Sequence, residues 1–210
     1  MENKMIKHRI YDFFATRRIF ISRLIGVCSL ILLLFTQTRL QGSVWAGKLM
    51  ENLGLLLIVL AVLGRIWASF YICGYKNRQV IDQGPYSMVR NPLYIFSFLG
   101  VMGIAVSSGN LLFTGLIITL FLFYYPMVIV NEERRLKEFL GEAFTSYAET
   151  TPRFIPKPSN YRQPETYPVN VATFSRSFLD GVWFFLGYIG IDLIKAGHEA
   201  GILPVFLNIG

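Results

Sequence analysis

Long uncharged apolar runs constrain this chain more than any other feature. Residues 111–130 contain no charged side chain, and neither do residues 92–108. A helix of about 20 apolar residues crosses the roughly 30 Å hydrocarbon core of a bilayer, and a soluble helical bundle does not need such runs. Three further runs carry only one or two charges each: 19–38, 53–74 and 177–194. The pattern predicts an all-α, polytopic membrane helix bundle with about five transmembrane helices.

The runs 92–108 and 111–130, which are the third and fourth in chain order, are joined by a very short link. Residues 107–110 read Ser-Ser-Gly-Asn, which is typical of a tight turn. Helices three and four should therefore form an antiparallel hairpin, which returns the far end of helix four to the face where helix three begins. We expect Arg90 and Asn91, before helix three, to lie near Glu132 and Glu133, after helix four.

The net charge of +7 is informative through its distribution. With five crossings and a cytoplasmic N-terminus, the basic residues concentrate in the inner segments, and outer segments hold only Arg39, Lys48 and Lys195. This is the positive-inside pattern, and it predicts a cytoplasmic N-terminus and an external C-terminus. It also explains the basic composition without nucleic acid, because the anionic cytoplasmic leaflet is the expected partner.

The chain divides into four expected segments. They are a basic interfacial segment or frayed tail (1–18), a membrane domain (19–158), a polar linker (159–173) and a C-terminal membrane or interfacial helix (174–210). Cys28 and Cys73 fall in apolar runs without metal-type spacing, so we expect two buried thiols. His8 and His198 are far apart in the chain, and we predict no metal site.

A polar, turn-rich hinge at residues 84–94 separates two apolar runs. Gly84-Pro85 marks a turn, and Pro92 can begin a helix. Backbone amides, the Arg90 guanidinium and the Asn91 amide are therefore expected where a membrane helix starts. Such a position suits a carboxylate or the polar end of a cofactor.

Two other charged positions require an explanation. Arg65 lies within the second apolar run, where it either serves a function or snorkels to the inner surface. Glu132-Glu133 is expected at the C-terminus of helix four, where the helix dipole disfavours negative charge. The neighbouring arginines, Arg90 or a bound cation could compensate that charge. Tyr124, Tyr125 and Pro126, just before it, predict a kink and an aromatic pocket.

The hinge resembles the G-P-Y-x-x-V-R-H-P-x-Y signature of the isoprenylcysteine carboxyl methyltransferase and phospholipid methyltransferase superfamily. Three more elements resemble that family in the same order: Arg65 with Trp67, Glu132-Glu133 with Leu136, Gly141 and Tyr147, and the stretch 151–156. The resemblance covers about residues 53–158. Two positions depart from the signature, since Asn91 replaces its His and Phe96 replaces a later Gly. Asn91 cannot titrate near neutral pH, so proton transfer through a His is not available there.

Members of this family are integral membrane enzymes that bind S-adenosylmethionine from the cytosol and methylate lipids or lipidated cysteine carboxylates. The resemblance implies Arg90, Asn91 and Glu133 as catalytic residues and a cytoplasmic cofactor site. The implied cofactor-binding residues are Tyr86, Val89, Arg90, Asn91, Pro92, Tyr94, Tyr125, Glu132 and Glu133.

Two other functions stay open. Membrane steroid-reductase-like enzymes that use NADPH look similar here, but their signature has Asn after the Pro, where this chain has Leu93. A non-catalytic membrane interaction protein could also keep this scaffold. The identity of the methyl acceptor and the oligomeric state stay open as well.

Overall fold

The computed structural model describes residues 24, 26–38, 44–76 and 78–209. The α-helices in this part of the chain are α1 (Gly26–Phe35), α2 (Val44–Ile72), α3 (Pro85–Met88), α4 (Pro92–Ser107), α5 (Leu111–Phe123), α6 (Tyr125–Leu140), α7 (Glu142–Thr150), α8 (Val171–Leu179) and α9 (Val182–Glu199). Pro158–Asn160 forms one 3₁₀ turn, and the strands β1 (Thr36–Thr38) and β2 (Leu207–Ile209) pair in parallel. The predicted interfacial segment 1–18 lies outside the described residues.

The all-α prediction is confirmed, apart from these two three-residue strands. Three helical stretches are long and apolar enough to cross a membrane: Trp45–Ile72, Leu111–Leu140 and Val171–Glu199. The second stretch consists of α5 and α6 together, and the third consists of α8 and α9 together. The apolar helices α1 and α4 are shorter. The chain is therefore a polytopic membrane protein, whereas the predicted number of five crossings stays a prediction.

The chain forms two compact units. The first unit comprises residues 1–54, 105–134 and 189–210, and the second comprises 55–104 and 135–188.

In the first unit, Asn110 fixes the turn between α4 and α5. Its Oδ1 accepts a hydrogen bond from the Phe113 amide at 3.0 Å and so caps α5, while its Nδ2 donates to Thr36 Oγ1 at 2.6 Å. Gly109 supplies the positive φ of 64° that the turn requires. The predicted tight turn is thus present, and it is tied to β1.

The C-terminal helix is fastened within the same unit. Lys195 forms an ion pair with Glu51 in α2 and lies 3.4 Å from the Ser107 carbonyl oxygen. His198 Nε2 lies 2.9 Å from the Leu34 carbonyl oxygen, so the end of α9 is also bound to α1.

In the second unit, α8 packs against the last turns of α2. The rings of Phe70 and Phe174 stack at 4.4 Å, and the hydroxyls of Ser69 and Ser177 are 2.8 Å apart. Residue numbers rise along α8 as they fall along α2, so the two helices run antiparallel. α8 begins at Val171, three residues before the expected start of the C-terminal helix at 174, because Asn170 caps it by accepting from the Thr173 amide at 2.9 Å.

Tyr167 anchors the linker to the end of α2. Its hydroxyl donates to the Tyr71 carbonyl at 2.9 Å, and its ring packs on that of Tyr71 with centroids 4.9 Å apart. Burial is the largest cause that raises the pKa of Tyr167, and the neighbouring Tyr75 and Asp82 raise this pKa further. The hydroxyl therefore stays a donor through the physiological pH range.

The two cysteines differ. Both are free thiols, but Cys73 is buried and Cys28 is exposed. The prediction of burial is therefore wrong for Cys28, because an apolar residue on a membrane helix can face lipid rather than protein. Burial raises the pKa of the Cys73 thiol, which keeps it protonated and unreactive.

Candidate functional site

Gly84 starts the hinge in a conformation that requires glycine. Its φ is 57° and its ψ is −137°, a region that side chains rarely adopt. A Cβ atom at this position would lie 2.3 Å from the Tyr71 ring. The chain then makes the single turn of α3 and becomes extended at Val89, which is buried together with Tyr86.

The segment that follows α7 holds the hinge along its length. Three backbone hydrogen bonds join them: the Gly84 amide to the Arg162 carbonyl (2.7 Å), the Arg90 amide to the Pro152 carbonyl (2.9 Å), and the Lys157 amide to the Met88 carbonyl (2.9 Å). Two elements of the family signature, about 60 residues apart in the sequence, are therefore in direct contact. These bonds fix the backbone at Arg90.

A second layer of side-chain hydrogen bonds supports the hinge. The buried Ser87 hydroxyl donates to the Gly84 carbonyl at 2.6 Å and accepts from the Arg162 amide at 3.0 Å. The Tyr147 hydroxyl donates to the Tyr86 carbonyl at 2.7 Å. Tyr147 belongs to the recognised signature, whereas no motif in the sequence pointed to Ser87.

A cavity of about 400 Å³ lies between this hinge, α7 and the linker. Hydroxyl, amide and charged side chains line it, among them Asp82, Ser87, Ser146, Thr150, Asn160 and Arg162. Asp82 and Arg162 form an exposed ion pair across 3.7 Å. Sequence reasoning missed this cavity, because it forms from three segments that are far apart in the chain.

Helix α4 begins at Pro92, as the sequence predicted. The Asn91 carbonyl accepts from the amides of Tyr94 at 3.2 Å and Ile95 at 3.4 Å. These two amides are satisfied within the helix start, and that Arg90 holds an anion at this position stays a prediction.

Phe96 replaces a glycine of the family signature, and the structure shows how its ring is accommodated. A Cβ atom on Gly64 of α2 would lie 2.2 Å from the Phe96 ring. A glycine on α2 therefore provides the space that the larger side chain takes on α4.

The carboxylates Glu132 and Glu133 lie in the middle of α6, because that helix continues to Leu140. The prediction of a helix C-terminus at this point is wrong, and the argument from the helix dipole does not apply. The residues after Glu133 are mostly good helix formers, so the helix extends beyond the apolar run.

Burial gives a different reason to single out Glu133. Its exposure is 6% and that of Asn131 is 4%, whereas Glu132 is half-buried. A buried carboxylate is costly unless a cation or hydrogen bonds compensate it. Arg134, one of the neighbouring cations, donates to Asn131 Oδ1 at 2.5 Å.

The aromatic residues before these carboxylates lie where α5 meets α6. α5 ends at Phe123 and α6 begins at Tyr125, but Tyr124 between them keeps helical backbone angles (φ −87°, ψ −47°) and donates its amide to the Leu120 carbonyl at 2.8 Å. The kink predicted from Pro126 therefore stays a prediction. The Tyr125 ring stacks on Phe121 with centroids 4.9 Å apart.

The predicted site residues fall into two groups. Residues of α3 and the start of α4 belong to the second unit: Tyr86, Val89, Arg90, Asn91, Pro92 and Tyr94. The other group lies on α6 in the first unit: Tyr125, Glu132 and Glu133. That these groups converge stays a prediction. Within the described residues, no cluster of three or more His, Cys, Asp or Glu side chains could hold a metal ion.

By side-chain chemistry alone, the predicted residues suit the polar groups of S-adenosylmethionine. Arg90 offers a guanidinium for its carboxylate, and Glu132 and Glu133 offer carboxylates for its ammonium and sulfonium groups. The fold defines a polytopic membrane protein whose signature residues at the start of α4 lie on a hinge that backbone hydrogen bonds hold in place.

Comparisons with known proteins agree with the signature. The phospholipid methyltransferase family model matches residues 43–143. The chain is 38% identical to the cobalt-zinc-cadmium resistance protein CzcN of Cupriavidus metallidurans, over 96% of this chain and 93% of that protein. It is 34% identical to the nickel-cobalt-cadmium resistance protein NccN of Alcaligenes xylosoxydans xylosoxydans, over 93% of this chain and 92% of that protein.

A more distant match covers 39% of this chain and 34% of the protein-S-isoprenylcysteine O-methyltransferase of Schizosaccharomyces pombe, at 28% identity. No solved structure matches the chain significantly. The chain belongs to the isoprenylcysteine carboxyl methyltransferase and phospholipid methyltransferase superfamily.

Proposed function

We propose that this protein is an S-adenosylmethionine-dependent methyltransferase that acts in the membrane on a lipid or another hydrophobic acceptor. The hinge carries the proposal: residues 84–94 match the family signature except at Asn91, and they form a platform fixed by hydrogen bonds, with the Arg90 backbone bonded to Pro152 at 2.9 Å. A rigid platform is what positioning catalysis requires, because methyl transfer depends on the alignment of donor and nucleophile.

The proposed roles of the residues follow from their chemistry. Arg90 holds the cofactor carboxylate through a bidentate pair of hydrogen bonds. Glu132 and Glu133 hold the ammonium and sulfonium groups of the cofactor. Tyr86, Tyr94 and Tyr125 provide aromatic surface for a sulfonium, and Val89 and Pro92 close the apolar side. S-adenosylmethionine supplies an electrophilic methyl group and needs no metal for this.

Asn91 and Glu133 determine which acceptors are compatible with this site. Asn91 can donate and accept hydrogen bonds, but it takes no proton from the acceptor. A carboxylate acceptor arrives ionised and needs no base. An amine acceptor must lose a proton, and Glu133 is the titratable group proposed to receive it.

The direct test uses the purified protein in lipid nanodiscs with methyl-labelled S-adenosylmethionine and a bacterial membrane lipid extract. Label in the lipid fraction, absent with heat-inactivated protein, supports the proposal and identifies the acceptor. A parallel arm measures binding of NADPH. Binding of NADPH without binding of S-adenosylmethionine would contradict the proposal and favour a membrane reductase.

The names of the two full-length relatives favour a physiological role in resistance to cobalt, zinc, nickel or cadmium. We propose that methyl transfer by this protein contributes to such resistance. Growth of a sensitive host in graded metal should improve with the wild-type protein, and less with Arg90→Lys at equal expression. Full rescue by a variant that no longer binds the cofactor would instead favour a non-catalytic membrane role.

A further inference from the structure

Arg65 lies in the apolar part of α2 and contacts α4 and α9 within the second unit. Its Nη1 donates to Ser97 Oγ on α4 at 2.5 Å, and its guanidinium carbon lies 5.8 Å from the centre of the Phe184 ring on α9. Ser97 donates its own proton to the Leu93 carbonyl at 2.6 Å, which turns an oxygen lone pair toward Arg65. The side chain is 17% exposed.

Within the described part of the chain, this guanidinium has few hydrogen-bond acceptors. Nη2 lies 3.9 Å from Asp180 Oδ2, which is too far for a hydrogen bond. The Nε–H group is buried, and no described residue accepts a hydrogen bond from it. A guanidinium has five N–H donors, and the described part of the chain gives this one a single acceptor, Ser97 Oγ.

The position of Arg65 makes the missing acceptor significant. A charged side chain within a membrane helix is costly, so a guanidinium there favours oxygen acceptors. The stretch Trp45–Ile72 has its middle about seven residues before Arg65, a rise of about 10 Å, while the hydrocarbon core ends about 15 Å from the bilayer centre. The long side chain therefore reaches the depth of lipid headgroup oxygens.

Asp180 behaves as a loose counter-ion. It lies in the break between α8 and α9, and its side chain is 60% exposed. A carboxylate held this loosely, 3.9 Å from the guanidinium, can be replaced there by another anion.

We propose that Arg65 is a binding site for the oxyanion of a membrane lipid, a carboxylate or a phosphate, and that Asp180 competes with the lipid for it. The lipid enters from the bilayer, with its headgroup oxygens on Arg65 and its chain along the apolar surface of α9. That this lipid is the methyl acceptor rests on the proposed function, whereas the binding itself does not.

The test measures lipid association in phosphatidylcholine bilayers without any methyl donor, by electron paramagnetic resonance of spin-labelled lipids. Spin-labelled stearate probes a carboxylate, spin-labelled phosphatidate probes a phosphate, and spin-labelled phosphatidylcholine is the reference. Arg65→Gln should lower the preference for one of the two anionic probes on the order of tenfold, the loss expected for a charge-assisted hydrogen bond. The probe affected identifies the oxyanion.

Asp180→Asn distinguishes binding from a purely structural role. If Asp180 competes with the lipid, removing its charge raises the preference for the same anionic probe. If the pair only joins helices, that variant is less stable and binds the probe no better, which would overturn the proposal. Arg176→Gln, which removes an exposed cation from α8, is the matched control and should leave the preference unchanged.

An equal effect of Arg65→Gln and Arg176→Gln would also overturn the proposal, because it would indicate general attraction of anions to a basic protein. Asp180→Asn keeps the proposal testable should Arg65→Gln fail to fold. Loss of lipid preference with intact methyl transfer, or the reverse, separates this inference from the proposed function.

Discussion

The hydroxyl of Tyr147 donates a hydrogen bond to the backbone carbonyl of Tyr86 at 2.7 Å and so joins α7 to the one-turn helix α3. Both tyrosines belong to the family signature, although they are 61 residues apart in the chain. The signature tyrosine of α7 therefore supports the hinge backbone, and it acts on the site through that backbone.

Tyr147→Phe should lower the free energy of unfolding by about 0.5–1.5 kcal/mol, the net contribution of one hydrogen bond. Denaturation of the purified protein in mild detergent measures this. Tyr161→Phe is the control, because the Tyr161 hydroxyl donates to the exposed Gln163 side chain at 3.1 Å and phenylalanine keeps the ring. Equal stability of the Tyr147→Phe variant and the wild type would show that the Tyr147 hydroxyl does not stabilise the hinge.

Gly84 and Gly141 form a matched pair that separates the cost of backbone strain from the cost of a steric clash. Their φ angles are 57° and 58°, and their ψ angles are −137° and −130°. A new Cβ meets the Tyr71 ring at Gly84, and at Gly141 it meets nothing within 4 Å. Both substitutions to Ala should cost about 1–3 kcal/mol from backbone strain, and Gly84→Ala should cost more. Equal losses of thermal stability would show that the Tyr71 ring moves aside freely.

Arg90→Lys should weaken binding of S-adenosylmethionine roughly tenfold, because the point charge of a lysine cannot reproduce the bidentate hydrogen bonds of an arginine. Cofactor titration in nanodiscs measures the dissociation constant. Arg176→Lys, on the exposed face of α8, should bind as the wild type does. If Arg90→Lys also binds as the wild type does, Arg90 has a structural role only.

Glu133→Gln should lower cofactor affinity by about 1.5–3 kcal/mol, roughly ten- to a hundredfold, through loss of a charge-assisted hydrogen bond. Glu132→Gln should have a smaller effect, because Glu132 is more exposed. Glu138→Gln, exposed on the same helix, is the control. Wild-type affinity in both the Glu132 and Glu133 variants would place the cofactor elsewhere, nearer Tyr124 and Tyr125.

Reporter tags test the orientation in the membrane. Tags at the N-terminus and within residues 157–173 should be cytoplasmic, and a tag after the C-terminal residue should be external. An external tag in 157–173 would contradict the hairpin argument. A cytoplasmic tag at the C-terminus would mean that α9 does not cross the membrane.

Some features were determined by the sequence because their causes are local. Run length indicated membrane helices, Pro92 marked the start of α4, and Gly109-Asn110 marked the turn before α5. Each of these signals acts over a few residues through backbone geometry or the solvation of a single helix. The ordered motifs likewise indicated the family before any contact was known.

Other features were decided only by the tertiary structure. The continuation of α6 past the apolar run puts Glu133 in a buried mid-helix position, and the bonds from residues 147–162 fix the hinge. The placement of Arg65 beside Asp180 joins residues 115 positions apart. Such contacts depend on which helix faces pack together, and uniformly apolar membrane helices carry little periodic signal for that choice, because lipid and protein neighbours are equally apolar.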